Sequence, residues 1–261
     1  MRRALVTGAA RRLGREMALY LARRGYDVAI HYATSAEEAA AAAEEVRAFG
    51  VRAVTLKADL LAEDQTEALV GRAAADLGGP LTVLVNNAST FDYDNIRSAT
   101  RHSWDRNIGS NLRAPFVLTQ GFAAQCPKAE RGADGALAQG LVVNMLDQRV
   151  RKLTPEFMSY TIAKMGLWAF TQTAARALAP GIRVNAIGPG STLRGDHQSE
   201  AQFDLQRAAS PLERGANAAD IVAALGYFLD APAVTGQLLC VDGGQHLAWK
   251  TPDIVGHSAP D

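Results

Sequence analysis

The sequence predicts an α/β fold in a single domain: a doubly wound, mainly parallel, seven-stranded sheet with helices on both faces. Short runs rich in β-branched residues alternate with longer alanine-rich stretches along all 261 residues. The runs at 83–85 and 141–143 are apolar at every position, which is typical of parallel strands buried on both faces. Since no linker rich in proline, glycine and serine divides the chain, we expect one domain over residues 1–248 and a polar C-terminal tail over 249–261.

The alternation predicts seven strands and six helices. The predicted strands are residues 4–7, 27–32, 51–57, 81–86, 140–145, 182–187 and 238–241. The predicted helices are residues 13–25, 35–49, 63–77, 102–125, 155–179 and 217–230. The polar segment 126–139 predicts a surface loop. The segment 189–212 is long for a connection, and because long loops in compact domains are usually functional, we predict a loop over the substrate there.

Composition excludes several classes of protein. With 27 basic and 27 acidic residues the formal net charge is zero, which argues against a general nucleic-acid binder. Cys126 and Cys240 are too few for a disulfide framework, and the histidines lack metal-ligand spacing. No uncharged apolar run approaches the ~20 residues of a membrane span. A core strand that starts at Ala4 leaves no room for a targeting peptide, so we expect a cytoplasmic protein. The spacing of the histidines leads us to expect no metal.

The turn between the first strand and the first helix has the features of a phosphate-binding loop. Gly8 permits a tight turn, and Gly14 permits close contact between helix and strand. Arg11, Arg12 and Leu13 lie between them, where backbone amides and the helix dipole suit a pyrophosphate. An ordinary strand-to-helix turn is the alternative interpretation. The position of this turn at the start of an alternating chain favours the dinucleotide site.

The ends of the next strands indicate which dinucleotide binds. NAD-binding units carry an acid at the end of the second strand, but Asp27 opens that strand, roughly 15 Å away. His31, Tyr32 and Ser35 stand at the end instead, and together with the two arginines they favour a 2′-phosphate, hence NADP over NAD. The alternative is that His31 merely ends a surface strand. Asp59, which closes the third strand, either bonds the adenine amino group or caps the following helix.

Tyr160 and Lys164 form a candidate acid–base pair. They are four residues apart in a predicted helix and therefore share one face of it, about 6 Å apart along the axis. An ammonium group there favours the tyrosinate, so we expect Lys164 to lower the pKa of the phenol towards the working range of a catalyst.

Taken in order, these features resemble the short-chain dehydrogenase/reductase family over nearly the whole chain. The shared motifs are TGxxxxxG at the first turn, Asn86-Asn87-Ala88, Asn111 before a Pro-Phe, the Tyr160 and Lys164 pair, and Pro189-Gly190. The resemblance implies a Rossmann-type fold, an NADP(H) cofactor and a homotetramer. It implies that Asn111 anchors a water chain and that Lys164 holds the nicotinamide ribose. Further cofactor contacts are implied at Leu60, Asn87, Ala88, Pro189, Gly190 and Thr192.

Three departures from the common family pattern resemble pteridine reductases. Arg12 replaces the middle glycine of the turn, Ser89 and Phe91 follow the NNA motif, and Asp147 replaces the serine expected 13 residues before Tyr160. The resemblance implies that Arg12 touches both cofactor phosphate and pterin. It also implies that Ser89 and Phe91 hold and stack the pterin, and that Asp147 works with Tyr160 and the lysine at the reaction centre.

The predicted function is therefore that of an NADPH-dependent pteridine reductase. It would transfer hydride to a dihydropterin, or to dihydrofolate or a polyol-substituted pterin, while Tyr160 and Asp147 deliver a proton to the adjacent nitrogen. One alternative is a carbonyl or 3-oxoacyl reductase, against which Asp147 argues because such enzymes place a hydroxyl there. Another is a non-catalytic nucleotide-binding protein, against which the intact set of Asn111, Tyr160 and Lys164 argues.

Overall fold

The computed structural model describes residues 2–194 and 198–249. Its strands are, in chain order, Arg2–Val6 (β1), Tyr26–Tyr32 (β2), Ala53–Lys57 (β3), Val83–Asn86 (β4), Glu130–Gly132 (β5), Gly135–Leu137 (β6), Gly140–Met145 (β7), Ile182–Pro189 (β8) and Leu238–Val241 (β9). Seven of them form one parallel sheet in the order β3-β2-β1-β4-β7-β8-β9. The predicted seven-stranded, doubly wound α/β sheet is confirmed.

Helices cover both faces of this sheet. The α-helices are Arg12–Arg23 (α1), Ala36–Arg47 (α2), Glu63–Leu77 (α3), Arg101–Ile108 (α4), Ala114–Gln125 (α5), Met158–Leu178 (α6), Glu200–Ala208 (α7) and Ala218–Asp230 (α8). A π-helical turn, Gly109–Arg113, joins α4 to α5, and 3₁₀ turns occupy Gln148–Val150 and Gln245–Leu247. Side chains of α1, α2 and α8 pack on one face of the sheet, and side chains of α3, α5 and α6 pack on the other.

The two apolar layers explain the uninterrupted hydrophobic strands. Ala4 and Val6 of β1 face the layer that contains Met17, whereas Leu5 between them faces the layer that contains Phe122. Successive side chains of a strand point to opposite faces, so a strand covered on both sides buries every side chain. Burial of a leucine-sized side chain contributes about 1.5–3 kcal/mol to folding, which is why polar residues are absent from these runs.

Several predicted segments differ from the structure. The predicted helix 102–125 is divided, because the π-helical turn adds a residue to the spacing and Pro115 starts α5 without a backbone N–H. The predicted helix 155–179 begins only at Met158, since Phe157 adopts a left-handed φ of 56°. The segment 126–139, predicted as a surface loop, contains in its middle the exposed antiparallel hairpin that β5 and β6 form.

The predicted loop 189–212 is only partly a loop. Helix α7 lies within it and begins with a capping box, in which the Ser199 hydroxyl accepts from the Gln202 amide while the Gln202 side chain accepts from the Ser199 amide. Of the predicted tail 249–261, only Trp249 lies within the described residues, and it is exposed. Among the helices of the described ranges, none has the length and apolar character that a bilayer crossing requires.

Candidate active site

The glycine turn after β1 has the geometry that its sequence predicts. Gly8 has a φ of +62°, in the left-handed region that favours glycine. A Cβ on Gly14 would lie 2.2 Å from the Gly8 carbonyl oxygen, so only glycine permits this contact between α1 and the turn. Arg12, the residue that replaces the middle glycine, also has a positive φ of 55°. A non-glycine residue in that conformation costs roughly 1 kcal/mol, a strain of the kind found at ligand sites.

The N-terminus of α1 suits an anionic group. Arg11 is the N-cap residue, but its side chain makes no capping hydrogen bond, and the first turn contains no acidic residue. The first backbone N–H groups of a helix lack intrahelical acceptors, and the helix dipole adds partial positive charge. The Arg12 guanidinium donates to the carbonyl oxygens of Arg194 at 3.0 Å and Leu193 at 3.3 Å, which ties this turn to the segment after β8.

His31 does not provide the cation that the sequence analysis expected. Its Nδ1 accepts from the Gly8 amide at 3.0 Å, and its Nε2 lies 3.1 Å from the Ala58 carbonyl oxygen. An acceptor at Nδ1 places the ring proton on Nε2, and burial lowers the pKa of His31 to about 4. The prediction that His31 helps to bind a 2′-phosphate is wrong, because a neutral ring that is bonded on both sides instead holds the glycine turn against β3.

The other residues predicted near the 2′-phosphate lie at the expected edge of the sheet. The Arg11 guanidinium lies 3.6 Å from the Glu38 carboxylate, and both side chains are largely exposed. Ser35 precedes α2 without bonding the helix backbone, and Tyr32 is half-buried at the end of β2. The sequence analysis named Arg11 as a cation at this edge. Since His31 is neutral, Arg11 is the one of these two residues that remains available to an anion.

Asp59 forms a local turn. Its Oδ1 accepts from the Leu61 amide at 2.9 Å, whereas the N-cap residue of α3 is Ala62. The alternative that Asp59 caps this helix is wrong, because the chain makes one more turn before α3 begins. Leu60 packs partly against the core, and the Asp59 carboxylate is exposed at the end of β3.

The residues after β4 hold the glycine turn in place. The Asn87 side chain donates to the carbonyl oxygens of Thr7 at 2.8 Å and Gly8 at 3.2 Å. The backbone amides of Asn87 and Ala88 both donate to the Thr7 hydroxyl at 2.9 Å.

The segment after β8 is closely packed. Gly190 follows Pro189, the last residue of β8, and a Cβ on Gly190 would lie 2.6 Å from the Asp242 side chain. The buried Thr192 hydroxyl donates to the Gly190 carbonyl oxygen at 3.1 Å.

Asp147 and Tyr160 meet directly at the carboxyl end of β7. The phenol of Tyr160 donates to Oδ2 of Asp147 at 3.1 Å, and Oδ1 accepts from the Arg149 amide at 2.8 Å. Asp147 therefore caps the 3₁₀ turn with one oxygen and contacts the phenol with the other. Burial raises the pKa of Asp147 above its usual range, against the opposing effects of the Arg149 amide and guanidinium.

Lys164 does not tune the phenol as the sequence analysis expected. Its buried ammonium nitrogen donates to the Met145 carbonyl oxygen at 2.7 Å and lies 5.5 Å from the centre of the Tyr160 ring. Burial raises the pKa of Tyr160 well above its ordinary value, and the Asp147 carboxylate raises it further. Burial likewise lowers the pKa of Lys164 to about 8. The predicted lowering of the phenol pKa is wrong, since desolvation and the neighbouring carboxylate outweigh the opposing effects of the Arg149 charge and the Ser89 hydrogen bond.

Asn111 lies fully buried in the π-helical turn, a helix type that is often found at functional sites. Its amide nitrogen donates to the carbonyl oxygens of Thr90 at 2.9 Å and Asn107 at 3.0 Å. Its side-chain oxygen accepts from the Ser89 hydroxyl at 2.6 Å. Asn111 thus positions Ser89 and the loop that leads to Phe91.

Phe91 lies beside the Tyr160 phenol and is 52% exposed, which excludes the role of a core aromatic. Its ring meets the Tyr160 ring edge-on, with centroids 4.7 Å apart, and stacks on Phe157 at 4.1 Å with an interplanar angle of 10°. A second aromatic ring supports it from one side.

Sequence reasoning missed three residues of this cleft. Phe157 lies under Phe91, and Arg149 lies beside Asp147. Asp94, which is fully buried, accepts hydrogen bonds from the Ser159 amide at 3.0 Å and the Ser103 hydroxyl at 2.9 Å. Because Arg149 stands two residues after Asp147, the sequence could have indicated that it lies near the site. The places of Phe157 and Asp94 depend on contacts between distant segments, which the sequence does not reveal.

Comparisons with known proteins agree with this arrangement. The family model described as short chain dehydrogenase matches residues 2–204. The solved structure of FolM alternative dihydrofolate reductase 1 from Brucella suis, in complex with NADP, is 42% identical, with a TM-score of 0.89 and coverage of 97% of this chain and 98% of that one. The Brucella canis protein of that name, also complexed with NADP, is 41% identical, with a TM-score of 0.87 and the same coverage. The 3-oxoacyl-[acyl-carrier-protein] reductase FabG of Staphylococcus aureus (strain Mu50) is 32% identical over 249 residues, which cover 94% of this chain and 98% of the relative.

Proposed function

Since this chain belongs to the short-chain dehydrogenase family, we propose that it is an NADPH-dependent reductase that converts a dihydropterin or dihydrofolate to the tetrahydro form. The observation that carries the proposal is the contact of Asp147 with Tyr160 beside a half-exposed Phe91. A carboxyl group can both donate to and accept from the ring nitrogens of a flat heterocycle, which a serine hydroxyl does less well. The exposed half of Phe91 is proposed as a stacking surface for the same heterocycle. The relatives named FolM alternative dihydrofolate reductase 1 support this substrate class.

The cofactor site is the edge formed by the glycine turn and the ends of the neighbouring strands. The uncapped N-terminus of α1 and the close contact of Gly14 with Gly8 fit a pyrophosphate, and Arg11 fits a 2′-phosphate. Other residues proposed to line this site are Arg12, Leu13, Tyr32, Ser35, Asp59, Leu60, Asn87, Ala88, Pro189, Gly190 and Thr192. Lys164 is proposed to hold the nicotinamide ribose. When bound, NADPH supplies the hydride.

The proton is proposed to come from the Asp147–Tyr160 pair. A phenol with a pKa well above its ordinary range keeps its proton at neutral pH. Asp147, whose pKa is raised by burial, is the stronger acid of the pair, and its Oδ2 lies in contact with the phenol oxygen. When Asp147 is protonated, Tyr160 can therefore donate its phenol proton to a substrate nitrogen and take up the Asp147 proton in its place, which leaves Asp147 as the carboxylate.

The test of this function is NADPH consumption, followed by its absorbance, with a panel of substrates. We expect turnover with 7,8-dihydrobiopterin and 7,8-dihydrofolate, and turnover that is at least tenfold slower in kcat/KM with small ketones and a 3-oxoacyl thioester. Faster turnover of the ketones would contradict the proposal. NADPH binding without reduction of any substrate would instead support a non-catalytic nucleotide-binding protein.

A 3-oxoacyl reductase is the second candidate, favoured by the similarity to FabG over nearly the full length of both chains. Asp147 distinguishes the two candidates. A carbonyl reductase places a hydroxyl group on the substrate oxygen, whereas a carboxyl group at this position can hydrogen-bond both the N–H groups and the nitrogen acceptors of a heterocycle. The same substrate panel decides between them.

We further propose that the enzyme forms a homotetramer. Trp104, Phe116, Ile162 and Met165 of α4, α5 and α6 are large apolar side chains with 36–43% exposure. Helices with partly exposed apolar residues are suited to packing against further copies of the chain. Light scattering after size-exclusion chromatography tests this, since a mass near four times 27.7 kDa is expected and a monomer mass would contradict it.

The proposed location is the cytoplasm. Cys126 and Cys240 are free, and burial raises the pKa of each thiol to about 11. Both are therefore unreactive thiols at neutral pH, which suits a reducing compartment.

A further inference from the structure

Arg149 and Tyr160 both approach the Asp147 carboxylate. Its guanidinium nitrogen Nε is 3.9 Å from Oδ2 of Asp147, the same oxygen that accepts from the phenol at 3.1 Å. Its backbone amide separately bonds Oδ1 at 2.8 Å. The backbone amide of Arg149 thus fixes the orientation of the Asp147 carboxylate, whereas the guanidinium of Arg149 balances its charge.

Three contacts hold the guanidinium in this position. One of its terminal nitrogens donates to the Thr154 hydroxyl at 2.9 Å. The guanidinium carbon lies 4.9 Å from the centre of the Phe157 ring and 6.0 Å from that of Phe91. The Arg149 side chain is only 22% exposed. Water therefore screens its charge less than that of a surface arginine.

The other titratable groups around Asp147 come from α6 and β9. Tyr160 and Lys164 face it from α6, and the pKa of Lys164, about 8, means that its charge is lost in mildly alkaline solution. Cys240 of β9 is a thiol whose pKa burial raises to about 11, so it is neutral there. An arginine guanidinium is not deprotonated in proteins. Arg149 therefore places a lasting positive charge next to this carboxylate.

We propose that Arg149 is a positioning residue which, through Asp147, sets the pH above which the Asp147–Tyr160 pair no longer donates a proton to the substrate. This inference rests on the proposed function, because it takes that pair to be the proton source. A neighbouring guanidinium stabilises the ionised carboxylate and so makes Asp147 a stronger acid. Activity that requires protonated Asp147 is present at low pH and is lost as the pH rises. Without the guanidinium, Asp147 keeps its proton to a higher pH, and the loss of activity moves upward.

The pH dependence of kcat in Arg149→Gln, measured at saturating NADPH and 7,8-dihydrobiopterin, tests the proposal. We expect the midpoint of the alkaline loss of activity to move up by about one pH unit in Arg149→Gln. Arg149→Lys retains a charge and is expected to stay close to the wild-type midpoint. Arg151→Gln is the matched control, because Arg151 lies two residues further along, with its guanidinium 5.6 Å from the centre of the Trp168 ring. Its midpoint is expected to be unchanged.

An unchanged midpoint in Arg149→Gln would overturn the proposal. An equal shift in Arg149→Lys would also overturn it, since packing rather than charge would then be responsible.

If Arg149→Gln does not fold, the variant Thr154→Val tests the proposal instead, because it frees the guanidinium while leaving Asp147 untouched. That variant is expected to show a smaller upward shift, and no shift would overturn the proposal. If the wild-type protein reduces a ketone but no pterin, the proposed function fails. The same midpoints, measured with the ketone, still test Arg149.

Discussion

Tyr160 and Asp147 share one hydrogen bond, and that bond joins the two groups that we propose as the proton source. Replacement of Tyr160 by Phe removes the hydroxyl and keeps the ring that packs on Phe91. We expect kcat with a dihydropterin to fall at least about 100-fold, because general acid catalysis is lost. The dissociation constant of NADPH, measured by fluorescence titration, should change less than about threefold. Turnover close to that of the wild type would remove Tyr160 from the proton path.

His31 gives a residue-scale prediction for stability. Its folded-state pKa of about 4 lies below the ordinary value of 6.5, so the unfolded chain takes up the proton first as the pH falls. The stability that the neutral ring contributes is present above pH 6.5 and is lost as the pH falls towards 4. We expect the wild type to lose about 2 kcal/mol more than His31→Gln between pH 7 and pH 4.5, measured by urea unfolding.

Glutamine is the matched control because its amide can accept from Gly8 and donate to Ala58 without titrating. An equal loss of stability in both proteins would show that His31 is not the titrating group.

Local spacing predicts only the contacts that lie within one element, whereas Asp147, Ser89 and Phe91 were assigned to the site through the resemblance to pteridine reductases. Tyr160 and Lys164 share a helix face, and Gly8 and Gly14 bracket one turn, so their contacts follow from local geometry. The role of His31 could not be predicted in this way. A histidine ring at the end of a strand can point either to the ligand or to the neighbouring strand. The His31 ring contacts the carbonyl oxygen of Ala58, which belongs to another segment, and local sequence does not predict that contact.

At the scale of elements, the start of α6 is held by a residue from a different segment. Phe157, the N-cap residue, makes no capping hydrogen bond, and the buried Asp94 accepts from the Ser159 amide and hydroxyl instead. Its backbone carbonyl also accepts from the Met158 amide at 3.1 Å. This connection fixes the helix that carries Tyr160 relative to the loop that carries Phe91.

Replacement of Asp94 by Ala should therefore destabilise the protein and loosen the site together. We expect a loss of about 2–4 kcal/mol in the free energy of unfolding, since several buried donors lose their acceptor, and a lower kcat. Asp94→Asn keeps one acceptor oxygen and should lose less than half as much. Urea unfolding and steady-state kinetics of both variants provide the measurement. Equal losses from the two substitutions would argue that the hydrogen bonds of Asp94 are not what anchors α6.

The elements themselves were predictable to different degrees. Short runs rich in β-branched residues identified every strand of the main sheet, and some buried strands, such as 141–143, are apolar throughout. The π-helical turn Gly109–Arg113 and the late start of α6 at Met158 were missed, because neither interrupts the apolar spacing of the sequence. Helix α7 was missed although its Ser199-x-x-Gln202 capping box was present.

On the scale of the whole molecule, the parallel sheet collects the ends of seven strands at one edge, and the site is assembled there from all parts of the chain. The glycine turn follows β1, Ser89 and Phe91 follow β4, and Asp147 follows β7. The fold explains why short motifs spread over 261 residues converge, and it is common to reductases of different substrates. We therefore expect the substrate class to depend on the few side chains at this edge, and above all on Asp147.

The most direct test of the account is the ratio of kcat/KM for 7,8-dihydrobiopterin to kcat/KM for a small ketone, compared between the wild type and Asp147→Ser. Serine removes the carboxyl group that serves the ring nitrogen and supplies the hydroxyl that suits a carbonyl oxygen. The account predicts that the ratio falls by at least about 100-fold, which corresponds to roughly 3 kcal/mol of differential transition-state stabilisation. A ratio that stays within threefold of the wild-type value would contradict it.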